Sequence, residues 1–392
     1  MGTPSPVIFT PENGEEPPGL YIHIPFCKSR CSYCSFNSYA CQSPPLSYLA
    51  ALCKQIRYWA KHEWCRERTF ATLFVGGGTP TIYGGNDLAA MIGQCLKAFN
   101  FSEDAEVTVE ANPNTVSSQS LTALRRGGVN RLSLGVQAFS DRLLAGLGRS
   151  HTVAEASAAI EAARRAGFSN INLDLMYGLP GQDAAAWQES LDQALAHNPE
   201  HLACYELTVE EETPFARLLE RGGLALPAEE EALAMATMTH DFLGQAGLAR
   251  YEISNYAVAG RECRHNINYW RNGSYLGLGA GAVSCLSGLR FSNVKEPEAF
   301  AALVERGEAP VSDAECLPLA ARFRESVVMG LRMIEGVSLP RLQRQFGLTP
   351  QGYYGKILED LLGQGLVALG EDRLRLTGAG LPLANQVLAQ LV

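Results

Sequence analysis

No hydrophobic run in this sequence approaches the ~18 residues that a membrane-spanning helix needs, so no membrane span is expected. Docking on a membrane surface is still compatible with that. Basic residues are outnumbered: 32 Lys and Arg stand against 41 Asp and Glu, a net charge of −9. Binding to nucleic acid through its phosphates rests on clustered cations and is disfavoured. The opening stretch, MGTPSPVIFTPENGEEPPG, lacks the basic and apolar segments of a secretion signal. Residues 1–19 read as a flexible, proline-rich lead-in, and the protein is expected in the cytoplasm. No internal repeat is found. No Gly-Lys-Ser or Gly-Lys-Thr follows the glycines at 76–78, which excludes a Walker phosphate loop. No second Cys or His pair at zinc spacing follows the early cysteines, which argues against a closed structural zinc site.

What is present is a globular composition. The chain has 392 residues, 46% of them hydrophobic, enough for one large α/β domain and a smaller one. Eleven cysteines is an odd number. In a reducing compartment most are free thiols, and Cys53, Cys95, Cys204 and Cys285 lie in apolar contexts that suit the core. Six β-like runs recur, at 20–26, 71–78, 106–113, 130–137, 170–180 and 201–209, with amphipathic segments between them. This alternation predicts parallel βα units. Six units are too few for a closed eight-stranded barrel, so a partial (β/α)6 barrel over 20–210 is expected, followed by an extension over 211–310. From 311 to 392 the pattern changes to helix, turn, helix, a hairpin around Gly370-Glu371-Asp372 and a last helix. That predicts a small winged-helix-like module. The polar signals cluster at the C-terminal ends of the strands, where parallel α/β folds build their sites.

The sharpest signal is Cys27-x3-Cys31-x2-Cys34, in the loop after the first strand. Thiolates at this spacing can turn toward one centre and suit zinc or iron–sulfur iron. Three thiolates leave one coordination position of a [4Fe–4S] cluster open to an exogenous ligand, and Cys41 stands too far along to be the natural fourth. Glycines in GGGTP, 76–80, let backbone approach a ligand or simply make a tight turn. GLGAGA at 277–282 lacks the context of a dinucleotide site. In HNINYW, 265–270, an imidazole stands with two aromatics. Imidazole is a common axial ligand of heme iron and flat rings suit a macrocycle, although a lone His near aromatics is often only a packed core residue. Cys263 is a second candidate beside it.

YIHIPFCKSRCSYCSF resembles the signature of radical S-adenosylmethionine (SAM) proteins, in the group of the oxygen-independent coproporphyrinogen III oxidase. FVGGGTPT, VEANPNT, RLSLGVQAFSDRLLAGLGRSHT, NLDLMYGLPGQ and HNINYWRNGSYLGLGAGA continue the resemblance in order, from about residue 20 to about 390. It implies a radical SAM partial barrel. Cys27, Cys31 and Cys34 would hold the cluster, and the amino acid end of SAM would bind its open iron. Gly77, Gly78 and Thr79 would contact the methionyl end. Glu110, Gln137, Arg149 and Asp174, together with Tyr21 and Tyr33, would complete the SAM contacts. His23, on the first strand, reads as an inward-facing structural histidine. Within the group, the oxidase carries a further Cys two positions after the third ligand and a longer N-terminal arm. Here that position is Phe36 and only about twenty residues precede Tyr21. Both departures resemble the group's heme-chaperone branch, in which the HNxxYW motif is linked to heme, with His265 as the candidate contact. The expectation is therefore a protein that holds heme and passes it to an acceptor. The alternative is a radical SAM enzyme, either the porphyrinogen oxidase or a methyltransferase.

Overall fold

The computed structural model describes residues 16–392, so most of the expected lead-in lies outside the described residues. Six parallel strands form the body of the sheet: β1 Gly19–Ile24, β2 Phe70–Gly77, β3 Phe101–Ala111, β4 Arg131–Gln137, β5 Ile171–Tyr177 and β6 His201–Glu206. They pair in chain order. The helices between them are α1 Leu46–Trp59, α2 Gly85–Ala98, α3 Ser118–Arg126, α4 Val153–Arg165 and α5 Ala184–Ala196. Local chemistry sets their ends. For α4, Thr152 and Glu155 form a reciprocal capping box, and Gly167 closes the C-terminus at φ +89°.

The strands alternate cleanly. Val107 and Val109 of β3, Leu132 and Leu134 of β4, and Leu173 of β5 are buried in the apolar layer shared with the helices. The residues between them are polar: Glu106, Thr108 and Glu110, then Arg131 and Ser133, then Asn172 and Asp174. On a β-strand this period-2 pattern sends the two sets to opposite faces. The polar set fills the concave side of the sheet. Each fully buried Leu or Val on the other face contributes about 1.5–3 kcal/mol by leaving water.

Both edges are extended. After α6 (Glu229–Gln245), short strands β7 Ala249–Arg250 and β8 Asn255–Ala257 run antiparallel beyond β6. On the other side β9 Tyr275–Leu278 lies parallel to β1, and β10 Val283–Leu286, β11 Leu289–Asn293 and β12 Val311–Cys316 continue as an antiparallel meander. The twelve-stranded sheet runs from β12 to β7 and those two ends do not pair, so the barrel is open. Helix α7, Arg264–Trp270, connects the two edges and α8, Pro297–Glu305, packs on α1.

A second core lies in the C-terminal part. Phe323, Val327, Leu342, Leu361, Leu374 and Val387 are buried together. They come from α9 Leu319–Gly330, α10 Leu339–Phe346, α11 Lys356–Gly363, the β15 strand Arg373–Leu376 and α12 Ala384–Ala389. Strands β13 Val337–Ser338 and β14 Val367–Leu369 flank β15 in a three-stranded wing. Among the described residues, no helix is long and apolar enough to cross a membrane.

Candidate functional site

The cysteine loop leaves β1 and is pinned at its base. Phe26–Cys27 pairs with Tyr39–Ala40, and the Cys41 amide donates to the Cys27 carbonyl at 2.7 Å. Cys27, Cys31 and Cys34 are half-exposed free thiols on the pinned segment, while Cys41 packs against the main core. Two donors reach the sulfurs from neighbouring strand ends: Thr79 Oγ1 to Cys27 Sγ and Arg149 Nη1 to Cys31 Sγ, both at 3.5 Å. Burial raises the Cys27 pKa. The Thr79 hydrogen bond opposes this, and the neighbouring Cys34 and Cys31 raise it further. Among the described residues, no three His, Cys, Asp or Glu side chains are already gathered around one metal ion. A cubane does not require that, because its thiolates bind separate irons. Phe36, two positions after Cys34, is 67% exposed.

The ends of β2 to β5 meet beside this loop. Gly78 and Thr79 donate their amides to the carbonyls of Ile24 and Phe26, at 2.7 and 2.8 Å. A Cβ on Gly77 would fall on the His23 ring, and Gly77 sits at φ +110°, so glycine is required there. Its amide donates to Glu110 at 3.0 Å. Desolvation, and then the charge of Asp174, push the Glu110 carboxyl up to about 7. Asp174 is raised as well, first by burial, and accepts from Tyr205 at 2.7 Å and Asn172 at 2.6 Å. Arg149 donates to Asn112 Oδ1 and the Gly135 carbonyl, at 2.6 and 2.5 Å. Gln137 adopts φ +71°, uncommon for a residue with a side chain. Its Oε1 and the Arg149 Nε are buried without a partner. Such orphaned polar atoms and backbone strain cluster where a ligand completes the bonding. Tyr33 lies near Arg149 and Cys31, its ring 6.5 Å from Phe215.

Tyr21, Gly77 and Glu110 also line a cavity of about 760 Å3. That is within the roughly 300–1,000 Å3 of small-molecule sites. Tyr269, Trp270 and Tyr275 line it too, with residues of α9 and the exposed Phe36. His265 is not in this wall. It is 1% exposed, stacks on Phe74 with centroids 5.1 Å apart, and has both ring nitrogens engaged. Nδ1 meets Thr72 Oγ1 at 2.7 Å and Nε2 meets Tyr269 Oη at 3.0 Å. Burial, and then the Arg131 charge, push its pKa down to about 3. As folded, neither nitrogen is open to heme iron. Cys263 is likewise fully buried, with its sulfur against Glu106. His23 is held between Tyr21 Oη and the Asn37 carbonyl, both at 2.9 Å. The GLGAGA segment turns the sheet edge from β9 to β10, beside Asn37.

Several residues that build the site were not singled out from the sequence. Asn112 bridges Thr79 and Arg149. Asn172 and Tyr205 fix Asp174. Glu106 accepts the amides of Arg264 and His265 at 3.0 and 3.1 Å and so anchors α7. The available signal was the polar alternation within apolar strands, as in EVTVE at 106–110.

Comparison with known proteins is consistent along the chain. The Radical SAM superfamily model matches residues 21–194, and the HemN C-terminal domain model matches 317–383. The heme chaperone HemW of Bacillus subtilis is 39% identical over 94% of this chain and 97% of its own length. The heme chaperone HemW of Mycobacterium tuberculosis is 36% identical over 96% and 95%. Among solved structures, coproporphyrinogen III oxidase (HemN) from Escherichia coli, a radical SAM enzyme, superposes with a TM-score of 0.82 at 26% identity, covering 96% of this chain and 90% of that one.

Proposed function

Since the chain belongs to the heme chaperone HemW family, within the radical SAM superfamily, we propose that it binds heme and hands it to an acceptor protein in the cytoplasm. In this reading the loop at 27–34 carries a [4Fe–4S] cluster with SAM on its open iron. The observation that carries it is the extent of the likeness: at 39% identity the alignment spans 94% of this chain and 97% of the Bacillus subtilis protein. Phe36, where the oxidase carries a fourth cysteine, points the same way, and eleven free thiols suit a reducing compartment.

The residues present fit the cluster and SAM. Three half-exposed thiols share one pinned loop, two of them already receive hydrogen bonds, and two orphaned polar atoms stand nearby. The cluster would supply one electron to a bound sulfonium. The chain's own part is to hold the sulfurs through Thr79 and Arg149 and to let backbone at Gly77 and Gly78 approach the methionyl end. Glu110 and Asp174 would accept from the ammonium or ribose hydroxyls, with Gln137 offering its free oxygen and Tyr21 and Tyr33 flanking the site. His265 acts on heme indirectly, by fixing Tyr269 at the cavity wall.

A hemin titration followed by absorbance tests the function: the full-length protein saturates at one heme per chain. Absence of saturable binding overturns the reading. Anaerobic reconstitution gives a full [4Fe–4S] complement, which Cys27→Ala, Cys31→Ala and Cys34→Ala each abolish. An intact cluster in any one of these removes that cysteine from the ligand set. Anaerobic incubation with coproporphyrinogen III, SAM and reductant yields no protoporphyrinogen; its appearance would make this chain an oxidase.

A further inference from the structure

Helix α9 turns one face to the large cavity. Ala321, Arg324, Glu325, Val328 and Met329 all line it, and their spacing of i, i+3, i+4, i+7 and i+8 is that of a single helical stripe. Tyr269, Trp270 and Tyr275 line the same cavity. Asn272 donates to Ser326 Oγ at 3.1 Å and ties the two walls together. The result is a slot lined by aromatic side chains together with a mixed helical face.

Two side chains on the α9 face are little used by the fold. Arg324 donates to the Tyr353 hydroxyl at 3.2 Å, and among the described residues no carboxylate forms an ion pair with it. Arg290, the other cation in the cavity, is already held by Glu325 at 2.7 Å and Glu315 at 3.6 Å. Met329 is half-buried and is the only thioether among the described lining residues. The other possible iron donors there are engaged. Both His23 nitrogens are hydrogen-bonded, and Tyr269 is tied to His265. Burial keeps the Tyr275 hydroxyl protonated by pushing it up to about 12. Glu325 is ion-paired and Glu110 accepts the Gly77 amide. A thioether has no proton to lose and no ion pair to break, and it is an established axial ligand of heme iron.

We infer that α9 seats the heme: the Met329 sulfur is an axial ligand to its iron, and the Arg324 guanidinium pairs with a propionate carboxylate. This rests on the heme reading above. The macrocycle then lies in the slot facing Tyr269 and Trp270. Arg324 and Met329 are five residues apart, roughly 7.5 Å along the axis at about 1.5 Å per residue, a reach comparable with that from a porphyrin's centre to its acidic edge. A guanidinium and a carboxylate in a partly desolvated slot form a charge-assisted pair, and forked donors match two oxygens.

The test uses full-length protein with hemin and with hemin dimethyl ester, whose carboxylates are blocked. Wild type shows the sulfur-to-iron charge-transfer band of a thioether-ligated ferric heme. Met329→Leu, close in volume and apolar, loses that band. Wild type binds hemin roughly tenfold more tightly than the ester, the scale of one charge-assisted hydrogen bond. Arg324→Gln binds the two alike, at the wild-type affinity for the ester. A Met329→Leu spectrum identical to wild type overturns the iron ligand, and an Arg324→Gln protein that still prefers the free acid overturns the propionate anchor. Both outcomes leave heme binding by wild type intact. Wild type that fails to saturate with either probe overturns the heme reading itself.

Discussion

Glu110 shows how a single residue at a strand end can make the site respond to pH. It is drawn out of water between Gly77 and the carboxylate of Asp174, and its folded pKa rises from 4.5 to about 7. Between those values the folded state holds a proton that the unfolded state has released. This group therefore favours folding fully below pH 4.5, and the contribution is lost as pH rises through about 7. In full it is on the order of 3 kcal/mol, less at the edge that faces the cavity. Glu110→Gln cannot titrate. Its thermal midpoint relative to wild type should therefore climb from about pH 5 to about pH 8, as followed by circular dichroism. A SAM ammonium prefers the ionised carboxylate, so wild-type affinity for SAM should rise through the same window and that of Glu110→Gln should stay flat. A parallel pH dependence in the two proteins would remove Glu110 from the site. His265 titrates in the opposite sense. Its pKa is depressed to about 3, so its contribution is complete above 6.5 and is lost as pH falls toward 3.

At the scale of elements, α7 is held by a residue from another part of the chain. Its own N-cap, Cys263, offers no side-chain hydrogen bond. Glu106 of β3 supplies the acceptor instead, taking the amides of Arg264 and His265 and approached by the Cys263 thiol. A carboxylate at a helix N-terminus is favoured by the helix dipole and by unsatisfied N–H groups. Glu106→Ala should destabilise the protein by about 2–4 kcal/mol in urea denaturation, because it leaves buried donors without acceptors. It should weaken hemin binding, since α7 carries Tyr269 and Trp270, while reconstituted iron content stays unchanged. Loss of the cluster in this variant would mean that α7 supports the loop as well. HNINYW was legible in the sequence as an imidazole beside aromatics, and Tyr269 and Trp270 do reach the cavity. The inward turn of His265 was not legible, because its partners Thr72 and Phe74 lie on β2, 193 and 191 residues earlier in the chain. The six parallel strands were readable because each is an apolar run closed by turn residues. The polar ladder across them was half readable: EVTVE shows period 2, but only the pairing of Glu110 with Ser133 and of Ser133 with Asn172 shows which strands share the ladder.

At the scale of the whole molecule, the cavity joins segments far apart in sequence. Tyr21, Gly77 and Glu110, beside the cysteine loop, line it together with α9. The C-terminal part is docked by backbone bonds, Ile253 N–H to the Arg332 carbonyl at 3.1 Å and Ile334 N–H to the Tyr251 carbonyl at 3.0 Å. The ion pair of Arg271 with Glu335 adds to this, but at about 40% exposure on each side it is worth at most ~1 kcal/mol. The docking therefore survives salt, and so should the cavity. With SAM at Tyr21, Gly77 and Glu110 and heme on α9, as proposed, both ligands share one cavity and are expected to influence each other. SAM there displaces water that an incoming macrocycle would otherwise have to displace. Hemin should bind several-fold more tightly to cluster-loaded protein when SAM is present, within the ~1–3 kcal/mol typical of site-to-site coupling. Linkage requires hemin to tighten SAM by the same factor. Paired titrations, hemin with and without SAM and SAM with and without hemin, measure both sides of that cycle. Equal hemin affinities in the two conditions would show that SAM and heme do not share this cavity, and would move the heme seat away from α9.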